Sequence, residues 1–138
     1  MTRQDFQRLT RLRLRDARAL LANGNDEGAY YLAGLAVECA LKSAIARKTQ
    51  RHDFPPEPRF LRDSVYIHDL NKLLAAAGLV GALKAAADIN AAFKANWALV
   101  KDWKAESRYD VSTVPNARGF YRAVAGRNGV MSWLRQHW

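Results

Sequence analysis

Several kinds of chemistry are excluded by what this chain lacks. Its 138 residues hold one cysteine and three histidines. A lone cysteine closes no internal disulfide, and its use predicts a reducing compartment such as a bacterial cytoplasm. Cys39 lies within an apolar run and reads as core packing. No cysteine and histidine set has zinc spacing, and there is no glycine-rich phosphate loop or nucleophile elbow. The stretch "GRNG" at 126–129 is too short to cradle a phosphate. Strand signals are almost absent. No apolar run is expected to reach the roughly 20 residues of a membrane span, and "MTRQDFQRLTRLRLR" lacks the apolar core of a secretory signal. These absences predict a soluble cytoplasmic protein, residues 1–138 forming one domain. A domain of this length buries roughly two thirds of its unfolded surface, so it needs neither disulfide nor metal as a staple.

Carboxylates are also scarce: 13 Asp and Glu face 22 Lys and Arg, for a formal charge of +9. Such a balance predicts attraction to polyanions or to an acidic partner. Much of the excess is at the start, where Arg3, Arg8, Arg11, Arg13, Arg15 and Arg18 outnumber Asp5 and Asp16. At helical spacing Arg8, Arg11, Arg15 and Arg18 fall within about 80° of one another, with Phe6, Leu9, Ala17 and Leu20 on the far side. This arginine stripe is either a solvated face or a surface for RNA, DNA or an acidic protein. The planar guanidinium fork grips phosphate through two hydrogen bonds, which favours the second reading.

Periodicity and punctuation predict an all-α, up-and-down bundle of four to five helices. Helix one runs from about Arg3 to Ala22 and stops at "NGND", where Gly24 suits a left-handed turn. The second helix occupies about Asp26 to Gln50. The proline-rich stretch "RHDFPPEPRFLRDSVYI" forms a surface loop. A short helix restarts at "HDLNKLLAAAGL" with Asp69 or His68 at its cap and ends near Gly78. The fourth is expected as one rod from about Ala82 to Ser107, placing Ile89, Phe93, Trp97, Val100 and Trp103 within about 120°. The fifth runs from about Asn116 to the terminus. Its Gly119, Ala123, Gly126 and Val130 form a face of little bulk, either for packing within the monomer or for a homodimer seam. Trp133 and Trp138 would anchor such a seam if exposed.

The central helix, "AYYLAGLAVECALKSAI", is apolar except for Glu38 and Lys42, one turn apart. A single ion pair at this spacing contributes only about 0.2 to 0.5 kcal/mol on a helix surface. That does not justify placing two charges against a core, so further partners are expected. The stretch "WKAESRYD" offers Arg108. The resulting cluster either sets helix register or forms a ligand or RNA site.

Three blocks in order, "AYYLAGLAVECALKSAI", "HDLNKLLAAAGL" and "WKAESRYD", resemble the HEPN domain family, the nucleotide-binding helical domains of higher eukaryotes and prokaryotes. The resemblance spans roughly residues 8 to 125. It implies a HEPN-like bundle, usually dimeric, often paired with a nucleotidyltransferase and linked to RNA processing, toxin-antitoxin systems and phage defence. Carried over by position, the ligand-binding set is Glu38, Lys42, His68, Asp69, Arg108 and Tyr109, to which helix periodicity adds Tyr31. Ribonuclease members carry Arg followed by His after four to six positions, late in the bundle. Here Arg127 and Asn128 begin such a motif, but Ser132, Trp133 and Leu134 stand where His should fall. Thr113, Val114 and Pro115 fill the window after Arg108. Arg62 and His68 have the spacing, and they precede the short helix. Cleavage through a 2′-hydroxyl needs a group to move protons and a cation to stabilise the phosphorane. The chain is therefore expected to bind nucleotide or RNA with a degenerate ribonuclease motif and no cofactor or metal. The alternative is an active metal-independent ribonuclease using His68 with Arg62 or Arg108.

Overall fold

A computed structural model describes residues 1–51, 67–109 and 116–138. Among these residues the chain is all-α, with no strand. Helix α1, Arg3–Ala22, opens on a capping box: the Thr2 hydroxyl accepts from the Asp5 amide, and the Asp5 carboxylate accepts from the Thr2 amide. It closes on a Schellman turn, in which Gly24 at φ +74° lets Asn25 N–H reach Leu20 O at 2.9 Å. Helix α2, Asp26–Arg51, follows at once. Both boundaries agree with the sequence reading to within a residue.

Helix α2 is buried on nearly every side, and it packs against α1 and most of the later elements. The expectation that no apolar stretch approaches span length fails here. By length and composition Asp26–Thr49 is able to cross a membrane, but 72% of its most apolar window is covered by the rest of the protein. A helix that is apolar all round and wrapped in this way is the axis of a core.

Three short rods complete the first half of the wrap. Helix α3, Leu70–Ala76, starts at Asp69, whose Oδ1 accepts from Lys72 N–H at 3.0 Å. Helices α4, Val80–Ile89, and α5, Ala91–Val100, replace the single rod predicted from Ala82 to Ser107. The break is at Asn90, whose extended backbone (φ −141°, ψ 96°) ends α4 while its side chain caps α5 on Phe93 N–H. One extended residue rotates everything before it out of register. Ile89, expected on the apolar face, is therefore 89% exposed, whereas Phe93, Trp97, Val100 and Trp103 are buried. After α5 the chain turns and forms a 3-10 segment, Ala105–Tyr109.

The last predicted helix is also two. Helix α6, Ala117–Ala125, is capped by Asn116, and α7, Val130–Leu134, follows a turn holding Asn128 at φ +55°. The small-residue face is thus not continuous. Gly126 leaves the helix, and Ala123 and Val130 face the monomer core. Trp133 and Trp138 are buried as well, so they anchor the chain's own interior rather than a seam. The two unpredicted breaks meet: Asn90 Nδ2 donates to Asn128 Oδ1 at 3.1 Å, and Asn96 Nδ2 donates to Asn128 O at 2.9 Å.

Candidate functional site

Helix α2 carries Glu38 and Lys42 into the core, where they are 3% and 9% exposed. Lys42 Nζ donates to Glu38 Oε1 at 2.8 Å. The residue just before the α3 cap supplies the third member: His68 Nδ1 lies 2.9 Å from the same oxygen. A carboxylate facing an ammonium accepts only, so Nδ1 is the donor and Nε2 is left for other partners. Burial of one unpaired charge would cost roughly several kcal/mol, and this two-donor arrangement offsets that cost. Glu38 Oε2 is buried with no protein partner.

His68 joins the buried group to the surface. Its side chain is 52% exposed. It lines an open cleft of about 710 Å³ between the start of α3 and the chain leaving α5, together with Asp69, Lys72, Lys101, Trp103 and Lys104. The walls are tied by Asn71 Nδ2, which donates to Lys101 O at 3.2 Å. Asp102 and Glu106 also face the cleft, so its rim carries both signs of charge.

Arg108 does not complete this cluster. The 3-10 geometry of Ala105–Tyr109 turns it outward, where it is exposed, and its guanidinium carbon lies 4.8 Å from the Tyr109 ring centre. Hydrogen bonding to Tyr31, and then to Tyr109, raises its pKa further above an already high ordinary value. Tyr31 stands two helical turns before Glu38, about 10 Å along the axis. The predicted set therefore divides into Glu38, Lys42, His68 and Asp69 on one side and Tyr31, Arg108 and Tyr109 on the other. Trp103 links them: it lines the cleft and stacks on Tyr31 at 6.0 Å. Its Nε1 is buried without a protein partner.

Trp103, Lys72, Lys101 and Lys104 were not singled out by sequence reasoning as site residues. Trp103 read as a core aromatic, and nothing in the spacing distinguishes a core tryptophan from one at a cleft wall. Arg62 and the proline-rich stretch up to residue 66 lie outside the described residues, as do Thr113, Val114 and Pro115.

The arginine stripe is in place. Arg8, Arg11, Arg15 and Arg18 are all exposed. The buried flank of α1 is Thr10, Leu14, Ala17 and Leu21, so Phe6, Leu9 and Leu20 are only half-buried at its edges. Arg11 lies over the Trp138 ring at 5.3 Å, and Arg3 donates to the Trp138 main-chain oxygen. Cys39 is packed inside, and burial, then the adjacent Glu38, pushes its thiol up to about 11. Arg127 and Asn128, the start of the incomplete ribonuclease motif, sit in the turn between α6 and α7. Among the described residues no group of three His, Cys, Asp or Glu is placed to hold a metal ion.

Comparison with family models, with curated proteins and with solved structures finds no match to this chain.

Proposed function

We propose that this chain is a HEPN-type binding module that takes a nucleotide or an RNA segment at the cleft beside His68 and does not cleave it. One observation carries this reading: the His68 ring is held by a buried carboxylate while it also lines an open cleft. A rim bearing both signs suits a ligand with phosphate at one end and ring donors and acceptors at the other. The charge of +9 and the exposed arginines of α1 supply the long-range attraction that such a ligand responds to. The same reading includes a homodimer, a nucleotidyltransferase partner, the cytoplasm, and a role in toxin-antitoxin or defence systems.

The test is anisotropy with labelled RNA and with ATP at low salt. Binding that weakens with added salt and falls about tenfold in His68→Ala is expected, the value of one charge-assisted hydrogen bond. Failure to retain either ligand would remove the reading.

The Glu38 and His68 pair also favours the ribonuclease alternative, because a carboxylate that fixes imidazole tautomer and direction is how a general base is prepared. In that case His68 Nε2 takes the 2′-hydroxyl proton as the 2′-oxygen attacks phosphorus. The 5′-oxygen leaves, taking a proton from water, and a 2′,3′-cyclic phosphate forms while His68 returns its proton to solvent. RNA incubated without metal distinguishes the two. Cleavage abolished by both His68→Ala and Glu38→Gln would establish the nuclease and end the binding-only reading.

A further inference from the structure

A second polar cavity lies at the other end of α3. It has a volume of about 270 Å³ and forms where three segments meet: the last third of α2, the turn after α3, and the tail after α7. Arg47 and Lys48 come from α2 and His137 from the tail, with Gln136 beside it and Ala44 and Leu79 as apolar floor. Among the described residues no carboxylate lines it.

Cations gathered at helix ends often serve only to neutralise the last carbonyls. Here backbone groups already do that work. Leu73 O, Leu74 O and Ala75 O accept from the amides of Ala77, Leu79 and Gly78. Met131 O, Trp133 O and Leu134 O accept from those of Arg135, Gln136 and His137. Most of the carbonyls at the ends of α3 and α7 are thus satisfied by backbone amides, which leaves the three side chains available for other partners. Lys48 is placed over the bare backbone of Gly78, its Nζ 3.2 Å from where a Cβ would stand. The His137 ring rests against Trp133, centroids 4.7 Å apart.

From this geometry we infer that Arg47, Lys48 and His137 form a phosphoryl-binding pocket, separate from the His68 cleft. Arg47 offers a planar fork of donors and Lys48 a point charge, the usual pairing around a tetrahedral oxyanion. The apolar floor lowers the local dielectric and strengthens both. The size is at the small end of ligand cavities, roughly 300 to 1,000 Å³, so it admits a phosphate and little more. Burial, and then the nearby Arg47, hold the His137 pKa below its usual value. A bound dianion would reverse that direction by giving the imidazolium a counter-charge. The charged groups lining the pocket with His137, among the described residues, are Arg47 and Lys48.

The experiment follows the imidazole resonances of the full chain by NMR as inorganic phosphate replaces chloride at constant ionic strength. Saturable shifts at His137 are expected, with its pKa raised by about one unit or more at saturation. Arg47→Gln, at a half-buried position of α2, and Lys48→Gln, at an exposed one, should each weaken phosphate about tenfold. Tighter binding of a nucleoside 5′-monophosphate than of phosphate, with none of the nucleoside, would assign the phosphoryl group to a nucleotide; equal binding would assign it to free phosphate. Shifts that do not saturate, that chloride reproduces, or that survive both substitutions would overturn the proposal. His68 reports separately in the same spectra, so failure at one site is distinguishable from failure at the other.

Discussion

The indole of Trp103 rests on the backbone of Gly34, occupying the space that a side chain at position 34 would need. Trp103 is almost wholly buried and stacks on Tyr31, so it has no room to retreat. Gly34→Ala should therefore destabilise the protein by about 1 to 3 kcal/mol, the usual penalty of an overfilled core. Urea unfolding followed by tryptophan fluorescence measures it. Adding Trp103→Leu should cost less in the alanine background than in the parent, because the clash is then removed.

Removing one member of the buried ion group should be costly in proportion to burial. Lys42→Met leaves the Glu38 carboxylate with only the half-exposed His68, and a loss of about 3 to 5 kcal/mol is expected. Glu38→Gln combined with Lys42→Met removes both charges and should lose less than Lys42→Met alone. His68→Ala breaks one hydrogen bond at the cleft wall, worth about 0.5 to 1.5 kcal/mol. Denaturant midpoints for the three variants must fall in that order; equal losses would mean that the pair is screened by solvent.

Asn128 combines a left-handed backbone with two latching hydrogen bonds, one through its side chain and one through its carbonyl. Asn128→Ala should lose about 1 kcal/mol for the strained φ and about 1 more for the bond to Asn90. Asn128→Gly keeps the turn and the Asn96 bond, so it should lose about half as much. Thermal melts of the two variants side by side check the difference.

The pH dependence has a defined direction. Burial and Arg47 depress the folded pKa of His137 below 6.5. Between that folded value and 6.5 the unfolded chain binds a proton that the folded chain does not, so stability falls as pH drops through this window. Above 6.5 this contribution is flat. Urea midpoints of the parent and of His137→Gln should converge as pH is raised and differ in slope below about 6.5. Saturating phosphate should weaken the slope. Asp5 acts lower down: hydrogen bonds from Thr2 depress its pKa below 3.8, so its support for α1 is lost only in stronger acid.

The parts of this structure that the sequence announces are those with local chemistry. Thr2 and Asp5, the "NGND" turn and Asp69 each act within four residues, so α1, α2 and the start of α3 fall where they are expected. The break at Asn90 escapes notice because Asn90 is neither glycine nor proline and because it is stabilised by Asn128 across 38 positions. The break between α6 and α7 begins at Gly126, whose lack of a side chain reads equally as part of a close-packing helix face. The charges in α2 imply a further partner, and that partner is a half-exposed imidazole rather than a guanidinium. Nothing in spacing says that His68 meets Glu38, since the approach depends on how α3 packs against α2. An α-helical register places Arg108 at the cluster, and the 3-10 segment that forms there has a different one.

The closed turn at Gly24 also bears on biosynthesis. As the polypeptide emerges, α1 and α2 can fold back on each other before the later segments exist, the caps of α1 and the connecting turn being complete in themselves. Half of the central rod then remains bare and sticky until the tryptophan-bearing segments arrive tens of residues later. During that interval the nascent hairpin is the form most exposed to misassociation, and the form for which a chaperone would matter most.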